Sequence, residues 1–298
     1  MRRAIVGLLL LLAACSSGHG AKRLAQAPPS TIEVTTTTAA SSPTPTVEPS
    51  TTAAPTTTTT TVSVAAAASR LTEIETAIRN PATPIAESIR LGQEQQMLYR
   101  SLSADPAERV ADVVAAVPAD VRPDVQANAN AVRELRAIPV KLRDTPPDWR
   151  IVAAAPADEL LAAYHEAATA EGVPWTVLAA IHLVETRLGR IRGTSSAGAQ
   201  GPMQFLPSTW AKYGNGGDIN STEDSLLAAA RYLRANGAPD RLDSALYAYN
   251  HSSHYVTAVR AIASVLDADQ RAFSGYYGWK VIYRTTHGDV VLDEGYGR

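Results

Sequence analysis

The chain has 298 residues, 45% of them hydrophobic, and a formal net charge of −2. That length supports a domain with a real core once tails are set aside. The near-neutral balance argues against nucleic acid as the main partner, which favours a strongly basic domain, and the single cysteine, Cys15, leaves no disulfide framework.

The N-terminus reads as a targeting signal. Arg2 and Arg3 precede an apolar run, Ala4 to Ala14, too short to span a bilayer and fitting a secretory h-region. The run ends in Leu12-Ala13-Ala14-Cys15, which resembles a bacterial lipobox. The expectation is a signal peptide over 1–14 and lipid modification of Cys15. The protein is then extracytoplasmic and anchored to a membrane by that lipid. The alternative is a plain signal peptide with Cys15 incidental. Between Thr31 and Val62 there are 15 threonines, interspersed with Pro43, Pro45, Pro49 and Pro55. Such a composition buries too little apolar surface to offset its ordering entropy, so 15–68 is expected to be a disordered tether.

Residues 69–148 read as a helical region, with helices over Ser69–Asn80, Pro84–Leu102, Pro106–Val117 and Val121–Ile138. Ser69 is the candidate cap of the first, and prolines punctuate the others. No catalytic constellation is visible there. A scaffold packed on the unit that follows, or a positioning spacer, is the expected role. Asp144 to Trp149 marks a boundary before a unit over 149–268.

That unit opens with an amphipathic helix, Pro156–Glu171. A second helix starts at Val173-Pro174, where Val177, Ile181, Val184 and Leu188 recur at helical spacing. Glu185 lies at the edge of this stripe, near the helix end. A carboxyl group there is partly desolvated, which raises its pKa and suits a general acid near neutral pH. Small residues follow from Ser195 to Gly201, then Pro202, Met203 and Gln204. Small residues allow close backbone approach to a ligand, Gln204 offers a donor and an acceptor to sugar hydroxyls and acetamido groups, and Met203 can pack on a sugar face. A short helix enters after Pro207, and Ser221 caps a further helix running to Asn236, with Asp224 in capping-box position.

These elements resemble the soluble lytic transglycosylase (SLT) family of peptidoglycan-cleaving enzymes. The family pattern of Glu-Ser/Thr, Ser-x-x-Gly-Ala-x-Gly-x-Met-Gln and Pro-Ser/Thr-Thr is matched by Glu185-Thr186, Ser195 through Gln204, and Pro207-Ser208-Thr209. A third element, Ala-Tyr-Asn, appears as Ala248-Tyr249-Asn250. The resemblance runs from about Ala153 to Val265. Thr186 and Pro202 stand where serine and leucine are frequent. The resemblance implies a mainly α fold with a lysozyme-like catalytic domain. It also implies Glu185 as the catalytic residue, and Ser195, Met203, Gln204, Tyr249 and Asn250 as substrate-binding residues, with Tyr249 pointing at the sugar. The activity it implies is non-hydrolytic cleavage of the MurNAc–GlcNAc β-1,4 bond of peptidoglycan glycan strands, leaving 1,6-anhydromuramyl ends, with no cofactor.

Two other readings stand beside this one. A lysozyme-type hydrolase needs a second carboxylate near Glu185; Glu223 and Asp224 are explained by the dipole of their helix, leaving Asp218. A non-catalytic wall-binding scaffold uses the same groove without cutting. His251 and His254, at i and i+3, lack a third ligand at sensible spacing, so no metal site is expected. His182 is read as a core-edge histidine. Residues 269–298 form a tail in which Trp279–Arg284 and Val290–Leu292 flank a turn near Gly288, predicting a small β-hairpin packed on the catalytic helices.

Overall fold

A computed structural model describes residues 62–297. The signal peptide, Cys15 and most of the Thr/Pro-rich tether therefore lie outside the described residues.

The fold is mainly helical. Helices α1 (Val64–Arg79), α2 (Ile85–Leu102), α3 (Ala107–Ala116) and α4 (Arg122–Ala137) come first. A two-residue strand, β1 (Arg150–Ile151), leads into α5 (Ala157–Glu171) and α6 (Trp175–Thr186). A second short strand, β2 (Ile191–Arg192), precedes α7 (Pro207–Tyr213), α8 (Thr222–Ala235), α9 (Leu242–Tyr249), α10 (Ser253–Ala268) and α11 (Ala272–Tyr277). A hairpin of β3 (Val281–Thr285) and β4 (Gly288–Leu292) closes the chain.

The tether ends earlier than expected. α1 begins at Val64, inside the stretch read as disordered, and its cap is Ser63, not Ser69: the Ser63 hydroxyl accepts from the Ala66 amide at 3.2 Å. Ala65 to Ala68 are strong helix formers, and Ala67 and Ala68 are buried. Tertiary contact therefore extends the helix upstream.

The helical region over 69–148 and the unit over 149–268 are contiguous in packing as well as in sequence. One apolar core runs from Ala67 on α1 to Trp279 beyond α11. α10 packs most extensively on α4 and next on α6, so it bridges the two regions. α2 approaches α11 closely, where a Cβ on Gly92 would fall 2.0 Å from the Gly275 carbonyl oxygen. Only glycine permits that approach.

Under this contact lies a buried polar network centred on Glu75. Its Oε1 accepts from the Tyr99 hydroxyl at 2.5 Å, Gln95 Nε2 at 2.9 Å and Asn128 Nδ2 at 3.1 Å; Arg79 Nη1 reaches Oε2 at 2.6 Å. Four donors satisfy both oxygens, which is what a carboxylate without solvent requires.

The hairpin pairs Val281 with Leu292 and Thr285 with Gly288, leaving Thr286 and His287 as a two-residue turn. It does not rest on the catalytic helices as expected. Val281, Tyr283 and Leu292 pack with Trp149, Ile151 and Ile191 around the β1–β2 pair. Gln96 of α2 exchanges hydrogen bonds with the Lys280 backbone, and Arg100 pairs with Asp289 at 2.6 Å. The glutamine side chain satisfies backbone groups at the entry to the hairpin, and so selects α2 as the docking partner.

Candidate active site

α6 carries Glu185 in its last turn. The expected apolar stripe is in fact burial on nearly every side: ten of its twelve residues are buried. A helix apolar all round belongs in a core. It is enclosed by α5, α8 and α10. Leu188 falls outside the helix, because Arg187, Leu188 and Gly189 take positive φ values of 52°, 59° and 77° and turn the chain sharply.

Glu185 is 3% exposed. Its Oε1 accepts from the Tyr255 hydroxyl at 2.9 Å, and its Oε2 has no protein partner. Burial pushes its pKa up to about 8, opposed by the Tyr255 hydrogen bond, and no neighbouring carboxylate contributes. The desolvation foreseen at a stripe edge is therefore complete, and the group is protonated at neutral pH.

The loop after β2 is held to α6 by Thr186, whose hydroxyl donates to the Pro202 carbonyl at 2.7 Å and accepts from the Gly189 amide at 3.0 Å. Ser195 shapes the loop from within, its Oγ accepting from the Ala197 and Ala199 amides at 3.1 and 2.8 Å. Gly201 has φ +74°, and a Cβ there would lie 1.9 Å from the Ile219 carbonyl oxygen. The close approach that requires a small residue at 201 is to the chain's own backbone. Beside the loop, a pocket of about 230 Å³ is lined by Arg192, Thr194, Gln200 and Asn220, among others.

Gln204 is buried at φ +53°, with Nε2 donating to the Gly201 carbonyl at 2.8 Å and Oε1 without a partner. Asn250 is fully buried, and neither Oδ1 nor Nδ2 has a partner. Met203 is fully buried in the core and presents no sugar-facing surface. Tyr249 lies near Glu185, whose charge contributes to raising its pKa, but its hydroxyl donates to the Met203 carbonyl at 2.7 Å. Of the site residues expected from the sequence, Glu185, Gln204 and Asn250 keep unpaired polar atoms, while the polar groups of Ser195 and Tyr249 are taken up within the chain and Met203 is buried.

Asp218 is exposed, and its Oδ1 accepts from the Asn220 amide at 2.9 Å. The Asp224 carboxylate accepts from the Asp218 amide at 2.8 Å, so the expected capping box is half formed: Ser221 caps α8, but Asp224 turns to the loop. His254 Nδ1 lies 2.6 Å from Glu134, tying α10 to α4. His182 is wholly buried rather than at the core edge, 2.8 Å from the Tyr164 hydroxyl, with its pKa lowered to about 3 by burial. Among the described residues no cluster of three or more His, Cys, Asp or Glu is placed to hold a metal.

Tyr255 is the site residue that sequence reasoning missed. It heads a buried stripe with Val259, Ile262 and Leu266, so its periodicity reads as core. The available signal was position: it stands in the first turn of a helix capped by Ser252, just beyond Asn250.

A buried helix-borne acid, the loop that follows it and a Tyr-Asn helix end define a lysozyme-like site. Residues 162–269 match the family model described as the transglycosylase SLT domain, and this segment belongs to that family. The chain is 32% identical over 119 residues to the membrane-bound lytic murein transglycosylase F of Thiobacillus denitrificans. That alignment covers 37% of this chain and 25% of the relative, so the chain spans about a quarter of the length of the curated relative it matches. No solved structure matches the chain.

Proposed function

We propose that the protein is a peptidoglycan lytic transglycosylase, cleaving the MurNAc–GlcNAc β-1,4 bond without water during cell-wall remodelling. The observation that carries this reading is Glu185: buried, with a pKa of about 8, hydrogen-bonded by Tyr255, and without a carboxylate partner. The Tyr255 hydroxyl occupies Oε1, so the proton resides on Oε2. Glu185 donates it to the glycosidic oxygen as the bond to the anomeric carbon breaks. The substrate's acetamido oxygen shares the positive charge at that carbon. The muramic 6-hydroxyl then attacks the carbon, and its proton returns to Glu185, so one residue serves as acid and then base.

Gln204 and Asn250 offer unpaired amide groups to the glycan, and Ser195, Met203 and Tyr249 hold the geometry. The polar pocket beside the loop suits sugar hydroxyls. No described helix is long and apolar enough to cross a membrane. The lipobox-like Leu12 to Cys15 supports a protein anchored through a lipid on Cys15 and facing the wall from outside the cytoplasm.

The test is mass spectrometry of soluble products from peptidoglycan digested by the full chain, with Glu185→Gln alongside. Anhydromuramyl ends from the wild type alone are expected. Reducing ends would mean a hydrolase, and no products with binding retained would mean a scaffold.

A further inference from the structure

A second pocket of about 80 Å³ lies on another face of α6, between α2, α4 and the hairpin. Val184 and Arg187 line it, flanking Glu185 in sequence while Glu185 itself turns to Tyr255. Four arginines surround it: Arg100, Arg136, Arg187 and Arg284. One carboxylate, Asp289, pairs with Arg100 at 2.6 Å. Among the described residues, Arg136, Arg187 and Arg284 form no salt bridge.

Arg187 is the clearest sign of a missing counter-charge. It is 8% exposed; Nη1 donates to the Leu183 carbonyl at 2.7 Å, and Nε has no partner. Burial, and then the charge of Arg100, lowers its pKa to about 10. Arg284 is lowered in the same way, by burial and then by Arg136. Gathering like charges in a half-apolar pocket is unfavourable unless an anion offsets it.

Most of the rest of the wall is apolar, including Val132, Val184 and Trp279, with Gln96 and Ser103 as its polar members. A water occupies about 10–15 Å³ by this measure, so the pocket takes roughly five to eight non-hydrogen atoms. That is one carboxylate on a short apolar stem. Guanidinium forks match a planar carboxylate in bidentate fashion.

We propose that this pocket binds the carboxylate end of a short peptide whose last side chain is small and apolar. The choice of a peptide rests on the wall-polymer reading, because that polymer carries peptides; the carboxylate rests on the pocket alone. Arg100, Arg136, Trp279 and Arg284 lie outside the matched segment 162–269, so the pocket is built largely by what this chain adds to its catalytic unit.

The test is calorimetric titration of the full chain with N-acetylalanine, N-acetylalanine amide and inorganic phosphate. Saturable binding of the acid is expected, with the amide and phosphate at least about tenfold weaker. Arg284→Gln and Arg187→Lys each weaken binding of the acid about tenfold or more, with circular dichroism confirming that both variants fold. Glu185→Gln retains binding whether or not the chain cleaves glycan, which separates this proposal from the catalytic one. Equal binding of acid and amide, phosphate as tight as the acid, binding unaffected in folded Arg284→Gln, or no binding at millimolar concentration would each overturn it.

Discussion

Tyr255, in the first turn of α10, donates its hydroxyl to Glu185 Oε1 at 2.9 Å across the interface with α6. This bond favours the charged carboxylate and so opposes the effect of burial. Tyr255→Phe removes it without emptying the core. The alkaline limb of the pH–rate profile is expected to move to higher pH, because Glu185 holds its proton more tightly. The turnover rate is expected to fall about 10- to 100-fold, since a hydrogen bond to a charged group contributes roughly 1.5–3 kcal/mol. A pH series on the two proteins checks both effects.

Glu185→Gln separates catalysis from stability. Cleavage is expected to fall by at least about 100-fold, the usual scale for losing a general acid. Stability moves the other way. The folded pKa, about 8, exceeds the ordinary glutamate value of 4.5, so between these values the folded state binds the proton that the unfolded state has released. Stability is fully present below about pH 4.5, declines as pH rises, and levels off above pH 8. The loss across this window is on the order of 5 kcal/mol. Glutamine is neutral throughout, so the variant is expected to melt higher than wild type at pH 8, with a flatter dependence between pH 5 and 8. Thermal melts across that range measure it.

Thr186 joins the catalytic helix to the loop through two hydrogen bonds, to the Pro202 carbonyl and from the Gly189 amide. Thr186→Val leaves both groups unpaired and is expected to cost about 1–3 kcal/mol and to lower activity, because the loop carries Gln204. Thr186→Ser keeps the hydroxyl and is expected to retain most of both. Urea unfolding and glycan release distinguish the two variants.

Glu75 joins α1 to α2 and α4 through its four donors. Glu75→Ala strands the Tyr99, Gln95 and Asn128 donors in the core and leaves the Arg79 guanidinium with Asp124 as its ion-pair partner. The expected destabilisation is about 3–5 kcal/mol, read by chemical denaturation. Because α4 packs on α10, the loss is expected in one transition and not as melting of an independent N-terminal part.

Much of this architecture was readable in the chain. Prolines at 84, 106, 156 and 174 stand at helix starts, and the place of Glu185 near the end of an apolar helix followed from spacing, while its role and that of the loop came from the family resemblance. What escaped depends on contacts distant in sequence. The shared core arises where Asn128 meets Tyr276 and Gln95 meets Trp279, and no local periodicity reports such pairs. Tyr255 was hidden because it belongs to an apolar stripe as well as to the site. Ser195 and Met203 were legible as positions but not as roles: one is consumed by loop amides, the other lies in the core.

The proposed chemistry requires Glu185 to be a neutral acid at working pH. Infrared difference spectroscopy of wild type minus Glu185→Gln, recorded from pH 4 to pH 10, tests it most directly. A protonated-carboxyl band is expected to persist through pH 7 and to titrate near pH 8. Its loss below about pH 5.5, in the ordinary carboxylate range, would contradict it.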